Sequence, residues 1–158
     1  MLSTFQSDRS LISLSSSRKV LGIFGRSDVG DTIDKAKNAR LIKGGSGVFK
    51  HSGDVGGKDL DFFKFKLDIN TPFTARLQNK SQKDNRDPIS FAIVGADGMT
   101  LNGMDGKSLS KGRILAGTTE TISTSLAPGT YYIRLESAMG TDQRYKLRLA
   151  TRVSSSAS

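Results

Sequence analysis

Between about residue 60 and residue 150 several short runs alternate apolar and polar positions one by one, the period of strands with one buried face. Phe63, Phe65 and Leu67 alternate with Lys64 and Lys66, and Phe73, Ala75 and Leu77 with Thr74 and Arg76. Ile89, Phe91 and Ile93 make a third strand, closed by the turn pair Asp97-Gly98. Ile122, Thr124 and Leu126 make a fourth, and the turn pair Pro128-Gly129 leads into Tyr131, Ile133 and Leu135. A last strand turns Tyr145, Leu147 and Leu149 inward and Lys146 and Arg148 outward.

Earlier in the chain the pattern changes. From Asp31 to Ile42, with Ile33, Ala36 and Ala39 at three-to-four spacing, it predicts a short helix capped by Asp31 and ended by Gly44, Gly45 and Gly47. Short strands separated by Gly and Pro turns predict an all-β fold, an antiparallel, jelly-roll-like β-sandwich with that one short N-terminal helix. The stretch from Asn79 to Pro88 reads as a long exposed loop, and no repeat of fixed period is recognised. Three regions follow: an arm over 1–29, the sandwich over 30–152 and a Ser-rich tail over 153–158. The arm mixes Ser with apolar groups and the cations Arg9, Arg18, Lys19 and Arg26, with Phe24 among the anchors. Such a segment suits either docking on a partner, ordering as it binds, or packing as a flap on its own domain.

Composition narrows the chemistry. The 158 residues fit one self-sufficient domain. The chain has no cysteine, which removes disulfides, thiolate metal sites and a cysteine nucleophile, and its one histidine, His51, removes any multi-histidine centre. His51 sits in a Gly-rich stretch and reads as a solvated loop residue rather than a catalytic base. Ser108 to Lys111 spells S-x-x-K without its partner motifs, and Gly106-Lys107-Ser108 lacks the glycine a phosphate loop needs, Leu101 standing in its place. The expectation is a protein that is not an enzyme.

Lys and Arg number 24 against 15 Asp and Glu, a net charge of +9. That excess attracts acidic partners. Lys64, Lys66, Arg134, Lys146 and Arg148 all fall at outward positions; if their strands share a sheet they make one positive face with Tyr132 within it. An inert, solvated face is the competing reading. Nucleic acid is disfavoured, because there is no aromatic ladder and no helix with clustered cations. No apolar run is long enough for a membrane span. Met1 to Leu14 lacks the basic start and apolar core of a secretory leader, so the expected location is cytoplasmic, with leaderless secretion as the alternative.

Three stretches carry a family likeness: GDTIDKAKNARLI over 30–42, GDVGGKDLDFFKFKL over 53–67 and LAPGTYYIRLES over 126–137. Together they resemble the bacterial pre-peptidase C-terminal domain, a small β-sandwich, over roughly residues 30–150. The resemblance implies a secreted module that either binds a polysaccharide or collagen-like polymer or serves as the accessory domain of a peptidase. It also implies a calcium site near the D-x-D strand, for which Asp54, Asp59 and Asp61 are the candidates and no other cofactor is expected; the competing reading is carboxylates that cap a turn. The positive charge and the basic arm point first to another function, a basic scaffold or linker-type subunit docked on a large acidic protein complex; free-standing copies of this family in cyanobacteria make a phycobilisome that complex if the source is a cyanobacterium.

Overall fold

The computed structural model describes residues 29–41, 46–84 and 86–152. Among these residues nine strands form two sheets: β1 (Lys37–Asn38), β2 (Gly47–Val55), β3 (Leu60–Leu67), β4 (Thr71–Asn79), β5 (Ile89–Val94), β6 (Ser110–Ile114), β7 (Thr119–Leu126), β8 (Gly129–Ser137) and β9 (Gln143–Thr151). A five-stranded sheet runs β1-β3-β8-β5-β6 and a four-stranded sheet runs β2-β9-β4-β7. All pairings are antiparallel except the short β1–β3 contact. The fold is a β-sandwich. Among the described residues no helix is long and apolar enough to cross a membrane.

The alternating patterns do what they predict. Phe63, Phe65, Phe73, Ala75, Leu77, Ile133, Leu135, Tyr145, Leu147 and Leu149 fill one core between the sheets. Phe65 stacks on Phe73 across it, ring centroids 4.5 Å apart. Gly129 does not take the left-handed turn conformation expected of it. It opens β8, where a Cβ would stand 3.3 Å from the Tyr131 hydroxyl.

The helix expected from Asp31 to Ile42 does not form. A single 3-10 turn spans Ile33–Lys35, preceded by Thr32 rather than capped by Asp31, and the chain then extends into β1. The open edge of β3 explains the difference: Phe62 N donates to Gly30 O, and Ala39 N donates to Lys64 O at 2.8 Å. These bonds satisfy backbone groups that a helix would have used internally. Ile33 and Ala36 pack instead on the outer face of the five-stranded sheet, against Phe62, Ala92, Val94 and Tyr132.

The segment 95–110, which joins β5 to β6 within the five-stranded sheet, holds a repeat of two eight-residue units. Residues 95–102 (GADGMTLN) and 103–110 (GMDGKSLS) share the frame G-x-D-G-x-x-L-x. In the first unit Asp97 accepts from Met99 N, and in the second Asp105 accepts from Lys107 N. Gly98 and Gly106 take φ of 77° and 76° at the same place in each turn. Leu101 and Leu109 both turn toward the core, and Leu109 N donates to Leu101 O. Each unit is one step of a short stair laid beside β5.

The polar stretch 79–88 is not wholly exposed either. Asp87 is buried and accepts from Ser137 Oγ, Met139 N, Thr141 N and Thr141 Oγ1, fixing the turn between β8 and β9. Burial opposes its ionisation, but these hydrogen bonds outweigh burial and hold its carboxyl below the usual range.

Candidate anion-binding surface

The five strand cations do not share a face. Lys64 and Lys66 lie on β3 and Arg134 on β8, in the five-stranded sheet, whereas Lys146 and Arg148 lie on β9 in the other. The outer face of the five-stranded sheet is also partly covered by the chain from residue 30 to residue 39. Tyr132 does point outward, opposite Lys64, but Ile33 and Ala36 cover it and leave 6% of its surface exposed. Tyr132 is therefore a core residue of a second, small cluster. Arg134 is half-buried and donates to Gly98 O, and Lys66 lies 3.7 Å from Asp68.

The outer face of the four-stranded sheet is different. Register places Lys50 of β2 opposite Arg148 of β9, and Arg148 opposite Arg76 of β4. Three cations thus stand in one row across three adjacent strands, about 4.8 Å apart from strand to strand. In the next row Lys146 lies between Ser52 and Gln78. All four cations are exposed, and among the described residues none of them forms an ion pair with a carboxylate. Lys50 and Arg76 were not singled out from sequence. Arg76 is signalled by its outward position between Ala75 and Leu77, but Lys50 is hidden in a stretch that reads as a Gly-rich loop.

On one side of this row the sheet carries small side chains: Val48, Ala150, Thr74 and Ser123 follow one another across β2, β9, β4 and β7. They help line a groove of about 400 Å³ that Arg148 and Arg152 also border. On the other side the charge changes sign, because Asp54, Asp84 and Asp142 gather with Lys80 and Arg144 around a second depression. The positive stripe is therefore bounded.

The three aspartates named for calcium all lie near enough to the Tyr145 hydroxyl to raise its pKa. Asp61 is 1% exposed and accepts a hydrogen bond from the Tyr145 hydroxyl across the two sheets. Asp54 lies on β2 opposite Arg144, and Asp59 sits in the turn before β3, its N–H bonded to Gly56 O. Among the described residues no group of three or more His, Asp or Glu side chains is placed to hold a metal ion. Burial, then the Asp61 carboxylate, push the Tyr145 hydroxyl far above its ordinary pKa, so it serves as a hydrogen-bond donor.

His51 is not a loop residue. It sits on β2, half-buried among Phe49, Phe63 and Tyr145, and Lys37 Nζ lies 3.3 Å from its Nδ1. Lysine is a donor, so Nδ1 accepts and Nε2 carries the proton. Burial, then the Lys37 charge, lower its pKa. Its ring is packed as part of the aromatic cluster.

The arm residues Arg9, Arg18, Lys19, Phe24 and Arg26, and the tail, lie outside the described residues.

No family model matches the chain, and no curated protein matches it. Among solved structures it is similar to the pre-peptidase C-terminal domain of a collagenase from Bacillus anthracis, at 15% identity and a TM-score of 0.49, covering 72% of this chain and 92% of that one. It is also similar to PliG, a periplasmic inhibitor of g-type lysozyme. The Aeromonas hydrophila protein is 12% identical, with a TM-score of 0.42 and coverage of 73% and 95%; the Salmonella Typhimurium protein is 14% identical, with a TM-score of 0.37 and coverage of 74% and 100%. Likeness of this order assigns no residue a role, and the functional reading rests on the chain's own surface.

Proposed function

We propose that the chain is a non-catalytic binding module that docks on an acidic protein assembly through the outer face of its four-stranded sheet. The observation that carries this reading is the row Lys50–Arg148–Arg76. Like charges directly opposite one another cost about 0.2–1 kcal/mol per pair, so the row is a stability cost that an anionic partner converts into affinity. Two arginines side by side offer two planar forks, each able to hold a carboxylate bidentately. The partner's chemistry is a surface rich in Asp and Glu, of which a phycobilisome would be one instance.

A second reading draws on the neighbouring groove of about 400 Å³, whose small side chains and bordering Arg148 and Arg152 also suit an acidic polysaccharide. An NMR titration with poly-L-glutamate, and separately with a carboxylated polysaccharide, distinguishes them. The docking reading predicts amide shifts centred on Lys50, Arg76, Lys146 and Arg148 with polyglutamate, weakened by salt. Shifts confined to Val48, Thr74 and Ala150, and seen with the polysaccharide alone, would favour the second. Shifts on the five-stranded face would contradict both.

A further inference from the structure

A sandwich of two open sheets has four edges, and among the described residues three of them carry a feature that bears on strand pairing. β1 is two residues long. β6 carries a bulge against β5, where the register shifts, and Arg113 takes a left-handed φ of 57°; bulges and charges of this kind block strand pairing. At β2, Lys37 reaches across from the five-stranded sheet to His51.

β7 is long and unbulged, and its one charged side chain, Glu120, lies at a solvent-exposed 3.9 Å from Lys111 of β6. It pairs with β4 without interruption from Thr71↔Leu126 to Gln78↔Thr119, and its sequence, TETISTSL, holds no Pro, Gly or Lys. The hydrogen-bond phase fixes which of its groups are unused. Arg152 N donates to Pro72 O and Asn79 N donates to Thr118 O, so even-numbered β4 residues face β9 and odd-numbered ones face β7. Strand alternation then turns the N–H and C=O of Thr121 and Ser123 away from β4, to the open edge. Among the described residues no backbone bond reaches them from outside the sheet.

That edge also borders a cavity. A groove of about 370 Å³ runs between β7 and the second unit of the stair, with Leu109 and Ile122 at its base and Met104, 87% exposed, beside it. Lys107 and Lys111 line it, held by solvent-exposed contacts of 3.7 Å to Asp105 and 3.9 Å to Glu120. Such exposed pairs are weak and exchangeable. Arg76 stands directly opposite Thr121 on the sheet's outer face.

We infer that β7 is a strand-addition site: an extended acidic segment of the partner pairs with the free backbone of Thr121 and Ser123 and becomes the fifth strand of the four-stranded sheet. Backbone pairing supplies affinity, and alternate side chains supply selectivity. Residues of the added strand on one face enter the groove beside Met104 and Leu109. Acidic residues on the other face come within reach of Arg76. A second copy of this chain is a poorer occupant, because two chains each carrying +9 repel. This inference rests on the docking reading above and adds the mode of attachment.

The test uses a capped peptide of about eight residues alternating Glu and Val, which matches the strand period, beside poly-L-glutamate. The peptide is expected to slow amide hydrogen exchange at Thr121 and Ser123 in the full chain. Thr121→Pro removes an N–H that the native sheet does not use, as edge strands allow, and is expected to weaken the peptide at least about tenfold while polyglutamate binding and Tm hold. If Thr121→Pro unfolds the chain, exchange at Thr121 and Ser123 in the wild type decides alone. Polyglutamate binding without peptide protection at β7 overturns strand addition and leaves the docking reading standing. Binding of neither probe overturns both.

Discussion

Arg148 and Arg76 face each other on adjacent strands, and Lys50 flanks Arg148 on its other side. A stable sheet would place an acid or a neutral residue between such neighbours. Replacing Arg148 with Gln, which keeps length and hydrogen bonding, should therefore raise folding stability by about 0.2–1 kcal/mol. The same variant should bind polyglutamate less tightly. Denaturant unfolding and a binding isotherm check the two halves together; a fall in stability would show that the row is already neutralised within the chain.

The bond from Tyr145 to Asp61 pins β9 to β3 through the core. Tyr145→Phe withdraws a donor from a buried carboxylate and should cost about 1–3 kcal/mol. In a double-mutant cycle with Asp61→Ala, which removes the acceptor, the two losses should be less than additive, because both break one interaction. Additive losses would mean that the residues act separately.

His51 gives the fold a pH dependence with a definite sign. Its pKa is lowered by burial, then by Lys37, so the unfolded chain binds its proton more readily. The stability it confers is complete above its unfolded pKa of about 6.5 and is lost as pH falls through the lower folded value. Tm measured from pH 8 downward should start to fall near that point, and His51→Phe, which keeps a ring against Phe49 and Phe63, should flatten the fall. An unchanged profile in the variant would assign the dependence to other groups.

Strand periodicity made the sandwich legible: residues such as Phe63, Phe73 and Leu147 occupy the core positions their alternation assigns. Sheet membership was not legible, because alternation gives the face of a strand but not its neighbours. Lys64 and Arg148 therefore looked like members of one surface, and the register separates them. Tyr132 shows the same gap from another side: it faces outward as expected, and a distant segment with Ile33 and Ala36 buries it. The lost helix has the same cause, since local spacing around Ala36 carries no information about the open edge of β3. By contrast, the eight-residue frame shared by Gly95 and Gly103 was present in the sequence and recoverable from spacing alone.

In the proposed docking mode the four-stranded face, and not the five-stranded one, receives an acidic partner. The most direct measurement compares polyglutamate affinity at low salt for the wild type, for Arg76→Glu/Arg148→Glu, and for Lys64→Glu/Lys66→Glu, with folding confirmed by circular dichroism. Both pairs change net charge equally, so a difference between them reports position. The account predicts about a tenfold or greater loss for the first pair and a much smaller loss for the second. Equal losses would show that net charge alone attracts the acid, and would contradict a built docking face.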